Sequence, residues 1–262
     1  MSVTDAFKHS TPELYDRFMG PLFFEPYARF VAKRSAQFRP NRILETAAGT
    51  GIVTDALHRG VPEAEILATD INPAMLDYAS KRICSDRVTF QRADAQDLPF
   101  GDGSFDLVVC QFGVMFFPDK VRAAAEALRV LRQGGRYLFV TFDGLERNPV
   151  PKAAGEAVAS MFSKHPRYME RGPFSYSDPA RIEDDLSAAG FTAIEIETVQ
   201  LTTAVVAEDA AQGIVLGSPF RAEIEQLGSE ALERSFAAVA EALSVWDGKD
   251  APMSAYLVAA TS

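Results

Sequence analysis

A turn of small residues, Glu45–Gly51, has the composition of a ligand-binding turn between a strand and a helix. Its glycines let a ligand approach the backbone, and the N–H groups at the start of the following helix attract polar or anionic groups. The turn lacks the Lys-Ser/Thr pair of a nucleoside-triphosphate loop and the strict G-x-G-x-x-G of a dinucleotide site. Taken alone, it is compatible with a polar ligand or with a tight turn that binds nothing.

Two acidic residues further along the chain favour the ligand. Asp70 ends the second predicted strand about 20 residues after the turn, where doubly wound folds bind a ribose diol. Its carboxylate can accept hydrogen bonds from both hydroxyls. Asp94, followed by Ala95, comes after the third predicted strand, where a carboxylate can accept from the adenine amino group and a nearby backbone N–H can reach a ring nitrogen. Together these residues predict an adenosine-containing ligand across the strand ends.

The elements around these residues predict an α/β fold. Five strands alternate with helices, which is typical of a doubly wound, mostly parallel sheet. Two later strands, 191–199 and 253–260, bring the prediction to seven. The five alternating strands are predicted at Arg42–Glu45, Glu65–Thr69, Arg87–Arg92, Phe105–Cys110 and Arg136–Phe142. Helices are predicted to begin at Asn72-Pro73, Asp119 and Asp178-Pro179, where side chains can cap the first turn.

The segments outside this alternation predict a cover over the sheet. Residues 1–40 are predicted as an N-terminal helical cover, with an aromatic band interrupted at Gly20-Pro21. Residues 41–262 are predicted as one ligand-binding domain. Within it, 145–175 and 205–250 are predicted as insertions that help to build a substrate cover, the second lying before the last strand.

Five sequence blocks, in order, resemble the class I S-adenosylmethionine-dependent methyltransferases. The resemblance extends to the small-molecule branch that includes the ubiquinone- and menaquinone-biosynthesis C-methyltransferases, and it covers Arg42 to Phe142. It implies a Rossmann-like methyltransferase fold with S-adenosyl-L-methionine as cofactor and S-adenosyl-L-homocysteine as product. The blocks are Ile43–Gly51, Thr69–Leu76, Arg92–Phe100, Ser104–Val108 and Leu128–Arg136.

The resemblance also implies roles for individual residues. Glu45 and the Ala47–Gly51 loop would hold the methionine end, Asp70 the ribose, and Gln111 would face the sulfonium and the substrate. Ile71 would pack on adenine while Asp94 and Ala95 bind its edge. The family usually has glycine where this chain has Ala47. The implied cofactor-binding set is Glu45, Ala47, Gly49, Gly51, Asp70, Ile71, Asp94, Ala95 and Gln111.

Methyl transfer needs alignment of the acceptor and exclusion of water more than it needs a protein nucleophile. An activated carbon, a thiolate or an amine needs no general base, whereas a hydroxyl acceptor does. Candidates for a catalytic side chain are Gln111, His165 and Tyr15. Aromatic residues could form an apolar substrate pocket or pack in the core, and both interpretations stay open. The substrate candidates are Tyr15, Phe23, Phe24, Tyr27, Phe116 and Phe220.

Composition limits the remaining classes. The 262 residues include 26 Lys+Arg and 36 Asp+Glu, a net charge of −10. Residues 178–262 hold 4 basic and 15 acidic side chains, a net of −11, so the acidity belongs to the C-terminal third. No positive feature indicates nucleic-acid binding. Two cysteines, scattered histidines and no leader-like or membrane-spanning run predict a cytoplasmic protein without a metal, as a monomer or homodimer.

The sequence therefore predicts S-adenosylmethionine-dependent methyl transfer to a small, partly apolar acceptor by in-line displacement. Two alternatives remain open at this point. A non-catalytic, methyltransferase-like binding subunit would use the same fold without turnover. A nicotinamide-dependent oxidoreductase would share the fold, although its glycine fingerprint is missing.

Overall fold

The computed structural model describes residues 12–163 and 166–262. The described chain forms two compact units. The sheet unit comprises residues 27–142, 176–199 and 255–262, and the helical unit comprises residues 12–26, 143–175 and 200–254. In the N-terminal region the division falls between Pro26 and Tyr27. The predicted domain assignment, with its boundary at 40/41, stays a prediction.

Seven strands form one sheet in the order β3-β2-β1-β4-β5-β7-β6. Strands β3, β2, β1, β4 and β5 are paired in parallel, and β7 is antiparallel to β5. This confirms the predicted doubly wound, mostly parallel seven-stranded sheet. The strands are β1 (Arg42–Thr46), β2 (Glu65–Asp70), β3 (Val88–Arg92), β4 (Phe105–Gln111), β5 (Leu131–Phe142), β6 (Ala193–Val205) and β7 (Lys249–Thr261).

Helices lie between most of these strands and make up most of the helical unit. The α-helices are α1 (Glu25–Gln37), α2 (Ile52–Gly60), α3 (Pro73–Arg82), α4 (Lys120–Val130), α5 (Pro149–Met161), α6 (Tyr168–Arg171), α7 (Pro179–Ala188), α8 (Ala207–Ala211), α9 (Phe220–Glu225) and α10 (Ala231–Leu243). A helical turn at Pro12–Leu14, π-helical stretches at Tyr15–Phe24 and Gln212–Leu216, and 3-10 turns at Val114–Phe116, Leu145–Arg147 and Ser244–Trp246 complete the set. Within the described residues, no helix is long and apolar enough to cross a membrane.

Three helices begin at the side-chain caps that the sequence predicts. The carboxyamide oxygen of Asn72 accepts from the Ala74 N–H at 3.0 Å. Asp119 accepts from the Arg122 N–H at 2.9 Å, and Asp178 accepts from Ala180 at 3.0 Å. Each cap satisfies a backbone donor that has no partner inside the helix. These bonds fix where α3, α4 and α7 leave the preceding strands or loops.

Gly20 and Pro21, which interrupt the aromatic band in the sequence, lie within a π-helical stretch. Gly20-Pro21 does not interrupt the helical path, because the chain there is π-helical and Glu25 N donates to the Gly20 carbonyl five residues back. Proline lacks an N–H, so a wider helix with a different bonding pattern accommodates it. The carbonyl of Pro21 accepts from the Thr203 hydroxyl at 3.3 Å, which ties the segment to the rest of the helical unit.

The core of the sheet unit is centred on β4, between β1 and β5. Leu107, Val108 and Val109 are completely buried. Such burial on both faces is expected of a central parallel strand whose residues are nearly all apolar. The rigid centre matters for function because the polar residues of the candidate site lie at its carboxyl edge.

Candidate functional site

Four neighbouring parallel strands end in polar residues at one edge of the sheet. Glu45 is the penultimate residue of β1, and Asp70 and Gln111 are the last residues of β2 and β4. Asp94 lies two residues after the end of β3. Parallel pairing places the carboxyl ends of all four strands side by side. All four residues belong to the sheet unit.

The predicted ligand turn is a tight connection between β1 and α2. The Ala48 N–H donates to the Thr69 carbonyl at 2.9 Å, which anchors the turn on β2. Gly51, at φ 81°, occupies the left-handed region that favours glycine. A Cβ added there would lie 2.9 Å from the Ala79 Cβ, so α3 packs closely against this point. Glycine is therefore required at 51 both for the backbone angle and for the packing.

Ala47 carries a methyl group where the resembling family has glycine. Its φ is 54°, in the left-handed region, which gives the physical reason for the family preference. A Cβ added at Gly113 would lie only 2.5 Å from the Ala47 Cβ and 2.9 Å from the Cys110 sulfur. The methyl at 47 is therefore tolerated because position 113, just past β4, has none.

Glu45 is a buried carboxyl group, with 2% of its surface exposed. Within the described residues, its Oε2 atom has no hydrogen-bond partner. Burial raises its pKa to about 8; the Thr54 side chain opposes the rise, and the negative charge of Asp70 adds to it. A buried carboxylate without a partner is costly, and a cationic ligand group would compensate it.

Asp70 is already oriented by the backbone around it. Its Oδ2 accepts from the Gly49 N–H at 2.9 Å, and its Oδ1 accepts from the Asn72 N–H at 2.8 Å. Burial raises the pKa of Asp70, and these N–H groups oppose the rise. Each oxygen keeps a further lone pair for a ligand hydroxyl. The next residue, Ile71, is 39% exposed and one of three exposed large apolar side chains among the described residues.

The loop after β3 presents Asp94 and Ala95, both half-buried. The Asp94 carboxylate accepts from the Gln96 N–H at 2.9 Å and lies 3.2 Å from the Gln96 side-chain nitrogen. Gln96 was missed by the sequence analysis. The local signal that could have found it is its position two residues after an aspartate at a strand end, where Asx turns form.

Gln111 ends β4 in register with Val140 of β5 and is half-buried. The residue before it, Cys110, is completely buried. Burial raises the pKa of the Cys110 thiol to about 12, so it stays protonated and packs as a core residue.

The substrate candidates in the sheet unit are Tyr27 and Phe116. Tyr27 is fully buried, its hydroxyl donates to the Val199 carbonyl at 3.2 Å, and its ring meets Phe112 edge-on at 5.3 Å. These contacts make Tyr27 a core residue. Phe116 is half-buried on the 3-10 turn after β4.

The remaining candidates lie in the helical unit. Tyr15 stacks on Phe24 with ring centroids 5.1 Å apart, while Phe23 is buried. Phe220 is buried and stacks on Tyr168 at 5.9 Å. His165 lies outside the described residues. Among the residues that are described, no group of three or more His, Cys, Asp or Glu side chains is arranged to hold a metal ion.

A methyltransferase-domain family model matches residues 44–139, which contain Glu45, Asp70, Asp94 and Gln111. Two relatives extend the similarity beyond that domain. A ubiquinone/menaquinone biosynthesis C-methyltransferase of Pectobacterium carotovorum is 30% identical over 219 residues, covering 76% of this chain and 86% of the relative. A demethylmenaquinone methyltransferase of Deinococcus radiodurans is 31% identical over 184 residues, covering 63% of this chain and 73% of the relative.

A solved structure has the same fold. Phosphoethanolamine N-methyltransferase 2 of Haemonchus contortus, in complex with phosphomonomethylethanolamine and S-adenosylhomocysteine, aligns with a TM-score of 0.65 at 18% identity. The alignment covers 100% of this chain and 61% of that chain. At this level of identity, the likeness concerns the fold alone.

Proposed function

We propose that this chain, which belongs to the class I S-adenosylmethionine-dependent methyltransferases, methylates a ring carbon of a small hydroquinone-type acceptor. The enzyme class and the cofactor follow from the family. The observation that carries the acceptor class is the extent of the similarity to the Pectobacterium C-methyltransferase, which continues over 76% of the chain. The matched length exceeds residues 44–139, so the similarity includes residues outside the methyltransferase-domain model.

The residues at the sheet edge fit the cofactor. S-adenosylmethionine brings an ammonium group that would compensate the buried Glu45 carboxylate, whose Oε2 has no partner within the described residues. It brings a ribose diol for Asp70, which the backbone already orients. The exposed side chain of Ile71 would be covered by an adenine ring.

Each residue then has one task in the proposed site. Glu45 and the Ala47–Gly51 turn hold the methionine end, Asp70 binds the ribose, and Asp94 binds the adenine amino group. Gln111, at the end of β4, lies on the acceptor side. Bound S-adenosylmethionine supplies an electrophilic methyl group on a sulfonium, which an acceptor carbon attacks in line. The chain itself positions the two reactants and excludes water.

A hydroquinone ring suits a site without an assigned general base. The ring hydroxyl, and more strongly its anion, donates electron density to the neighbouring carbon, which makes that carbon the nucleophile. The side chains then need only orient the ring, and the ring proton passes to solvent once the methylated product is released from the site. Gln111 is proposed as an orienting residue and Phe116 as an apolar contact for the acceptor, both within the sheet unit. The substrate roles of Tyr15 and Phe24 stay predictions. Oligomeric state and cytoplasmic location stay predictions.

Activity assays with three kinds of acceptor test the proposed acceptor class directly. Purified enzyme and S-adenosylmethionine are incubated with reduced demethylmenaquinone carrying a short tail, with a catechol, and with a primary amine. We expect a product with one added methyl on a ring carbon, identified by mass spectrometry and by the loss of one aromatic proton in NMR. Methylation of oxygen or nitrogen alone would overturn the acceptor class.

Two controls accompany these assays. The Asp70→Ala variant should lose turnover because it loses cofactor affinity, whereas Glu65→Ala, at the other end of β2, should keep it. Cofactor binding in the absence of turnover on every acceptor would favour the non-catalytic binding subunit.

A further inference from the structure

Gln96 makes hydrogen bonds in two directions, and all of them lie within the sheet unit. Toward the loop, its N–H donates to the Asp94 Oδ1 at 2.9 Å. Its side-chain Nε2 lies 3.2 Å from Asp94 Oδ1 and 3.5 Å from Oδ2, so one amide group lies against both carboxylate oxygens. These contacts define the rotation of the carboxylate about its side-chain bonds.

Toward α4, the same residue is held by the start of the helix. Its Oε1 accepts from the Asp119 N–H at 2.8 Å, and its backbone carbonyl accepts from the Arg122 Nε at 2.7 Å. Because Oε1 is fixed by a backbone donor, the opposite end of the planar amide must point Nε2 at Asp94. The amide is therefore oriented by its partners on both sides.

A second set of contacts anchors the same loop without touching Asp94. Arg129 donates to the Leu98 carbonyl at 2.9 Å and to the Phe100 carbonyl at 2.7 Å. The Leu98 N–H donates to Glu126 at 2.8 Å. The loop thus has one anchor at the carboxylate and another further along, and the two can be removed separately.

We infer that Gln96 is a positioning residue for adenine recognition, which turns the Asp94 carboxylate toward the 6-amino group of the cofactor. The inference rests on the proposed cofactor site. By linking Asp94 to the first turn of α4, Gln96 transmits the position of that helix to the adenine end of the site. A residue that only stabilised the loop would affect all ligands alike, whereas a residue that orients Asp94 determines which base is preferred.

Base discrimination separates these two roles. S-adenosylhomocysteine carries the 6-amino donor, and S-inosylhomocysteine has a carbonyl oxygen in its place. A site built to accept from an N–H group rejects the analogue that lacks it. Calorimetry on the wild-type protein should give a preference for the adenosine ligand of about 10-fold or more, in line with a hydrogen bond to a charged group.

Three variants assign that preference. Gln96→Ala removes both amide contacts, and Gln96→Glu keeps an acceptor for Asp119 while placing a carboxylate against Asp94. We expect both to reduce the preference to within about 3-fold, mainly through weaker binding of the adenosine ligand. Arg129→Ala, which loosens the loop at its other anchor, should weaken both ligands together and keep the ratio. Melting temperatures of all variants show that each is folded.

The outcomes are distinct. An unchanged ratio in both folded Gln96 variants, or an equal loss of ratio in Arg129→Ala, overturns the positioning role. A wild-type protein that binds S-adenosylhomocysteine without preferring it overturns the roles of Asp94 and Gln96 and leaves the methyltransferase assignment standing. A wild-type protein that binds neither ligand overturns the proposed cofactor site itself.

Discussion

The two units of the molecule place polar and aromatic residues by different means. In the sheet unit, strand register brings Glu45, Asp70 and Gln111 to one edge, so their positions follow from the pairing of the strands. In the helical unit, residues distant in sequence meet by packing, as Phe220 does with Tyr168. Register can be deduced from strand ends, whereas packing depends on helix orientations that sequence does not specify locally. Chemistry assigned to strand ends is therefore better determined than chemistry assigned to packed aromatics.

The largest expected effect separates stability from cofactor binding. Phe220→Ala removes a buried ring and should lower the free energy of unfolding by about 3–5 kcal/mol. If packing in the helical unit is independent of cofactor binding in the sheet unit, the folded variant keeps the wild-type dissociation constant for S-adenosylhomocysteine. Urea denaturation and calorimetry measure the two quantities, and a parallel loss of affinity would contradict the separation. Phe24→Ala, at a half-buried position, is the milder control.

The next effect tests the buried carboxyl of the sheet unit. The folded pKa of Glu45, about 8, lies above its ordinary value of 4.5. Its stabilising contribution is therefore present below the ordinary pKa and is lost as pH rises through the folded one. Between pH 5 and pH 8 the ligand-free wild type should lose on the order of 3 kcal/mol that Glu45→Gln does not lose.

Thermal melts of both proteins across this range measure that difference. Asp70 titrates in both proteins, so its own contribution is common to them, and only its charge interaction with Glu45 is lost in Glu45→Gln. Parallel melting curves for wild type and Glu45→Gln would show that Glu45 does not carry the expected proton in the fold.

A third test concerns the close approach of position 113 to the Ala47 methyl, in the turn after β1. Gly113→Ala should destabilise the protein by about 2–3 kcal/mol, since the added methyl would lie 2.5 Å from the Ala47 Cβ. Ala47→Gly in the same chain should recover part of that loss, because the added methyl would still lie 2.9 Å from the Cys110 sulfur. Urea denaturation of the two single variants and the double variant measures the coupling free energy between positions 47 and 113. Additive effects would mean that the two positions do not share the space.

The smallest effect is on affinity alone. Asp70→Ala should weaken S-adenosylhomocysteine by about 30-fold, near 2 kcal/mol, because it removes the ribose acceptor and the anchor of the Gly49 N–H. Glu65→Ala, exposed at the other end of β2, should leave affinity unchanged. Calorimetry is the measurement, and equal dissociation constants for both variants would remove Asp70 from the site.

Much of the sheet unit was predictable because its signals are local. The caps at Asn72 and Asp119, the apolar run of β4 and the acid at the end of β2 are each encoded within a few residues. Their arrangement follows from parallel pairing, which needs no knowledge of side-chain packing.

What could not be predicted depends on contacts between distant residues. Gln96 is oriented by a helix that begins at Lys120, and the clearance for the Ala47 methyl comes from Gly113. The π-helical path through Pro21 depends on the bonds formed across the helical unit, such as that from Thr203. In each case the contacting residues are too far apart along the chain for a local sequence pattern to indicate the contact.

The contact between positions 47 and 113 also constrains how this sequence could evolve. A side chain at 113 is opposed by the Ala47 methyl and by the Cys110 sulfur, and glycine at 47 removes the first of these two contacts. A substitution at 113 is therefore less opposed after glycine has replaced alanine at 47 than before. Position 113 lies two residues after Gln111, the last residue of β4. A lineage that kept alanine at 47 would thus be expected to keep glycine at 113.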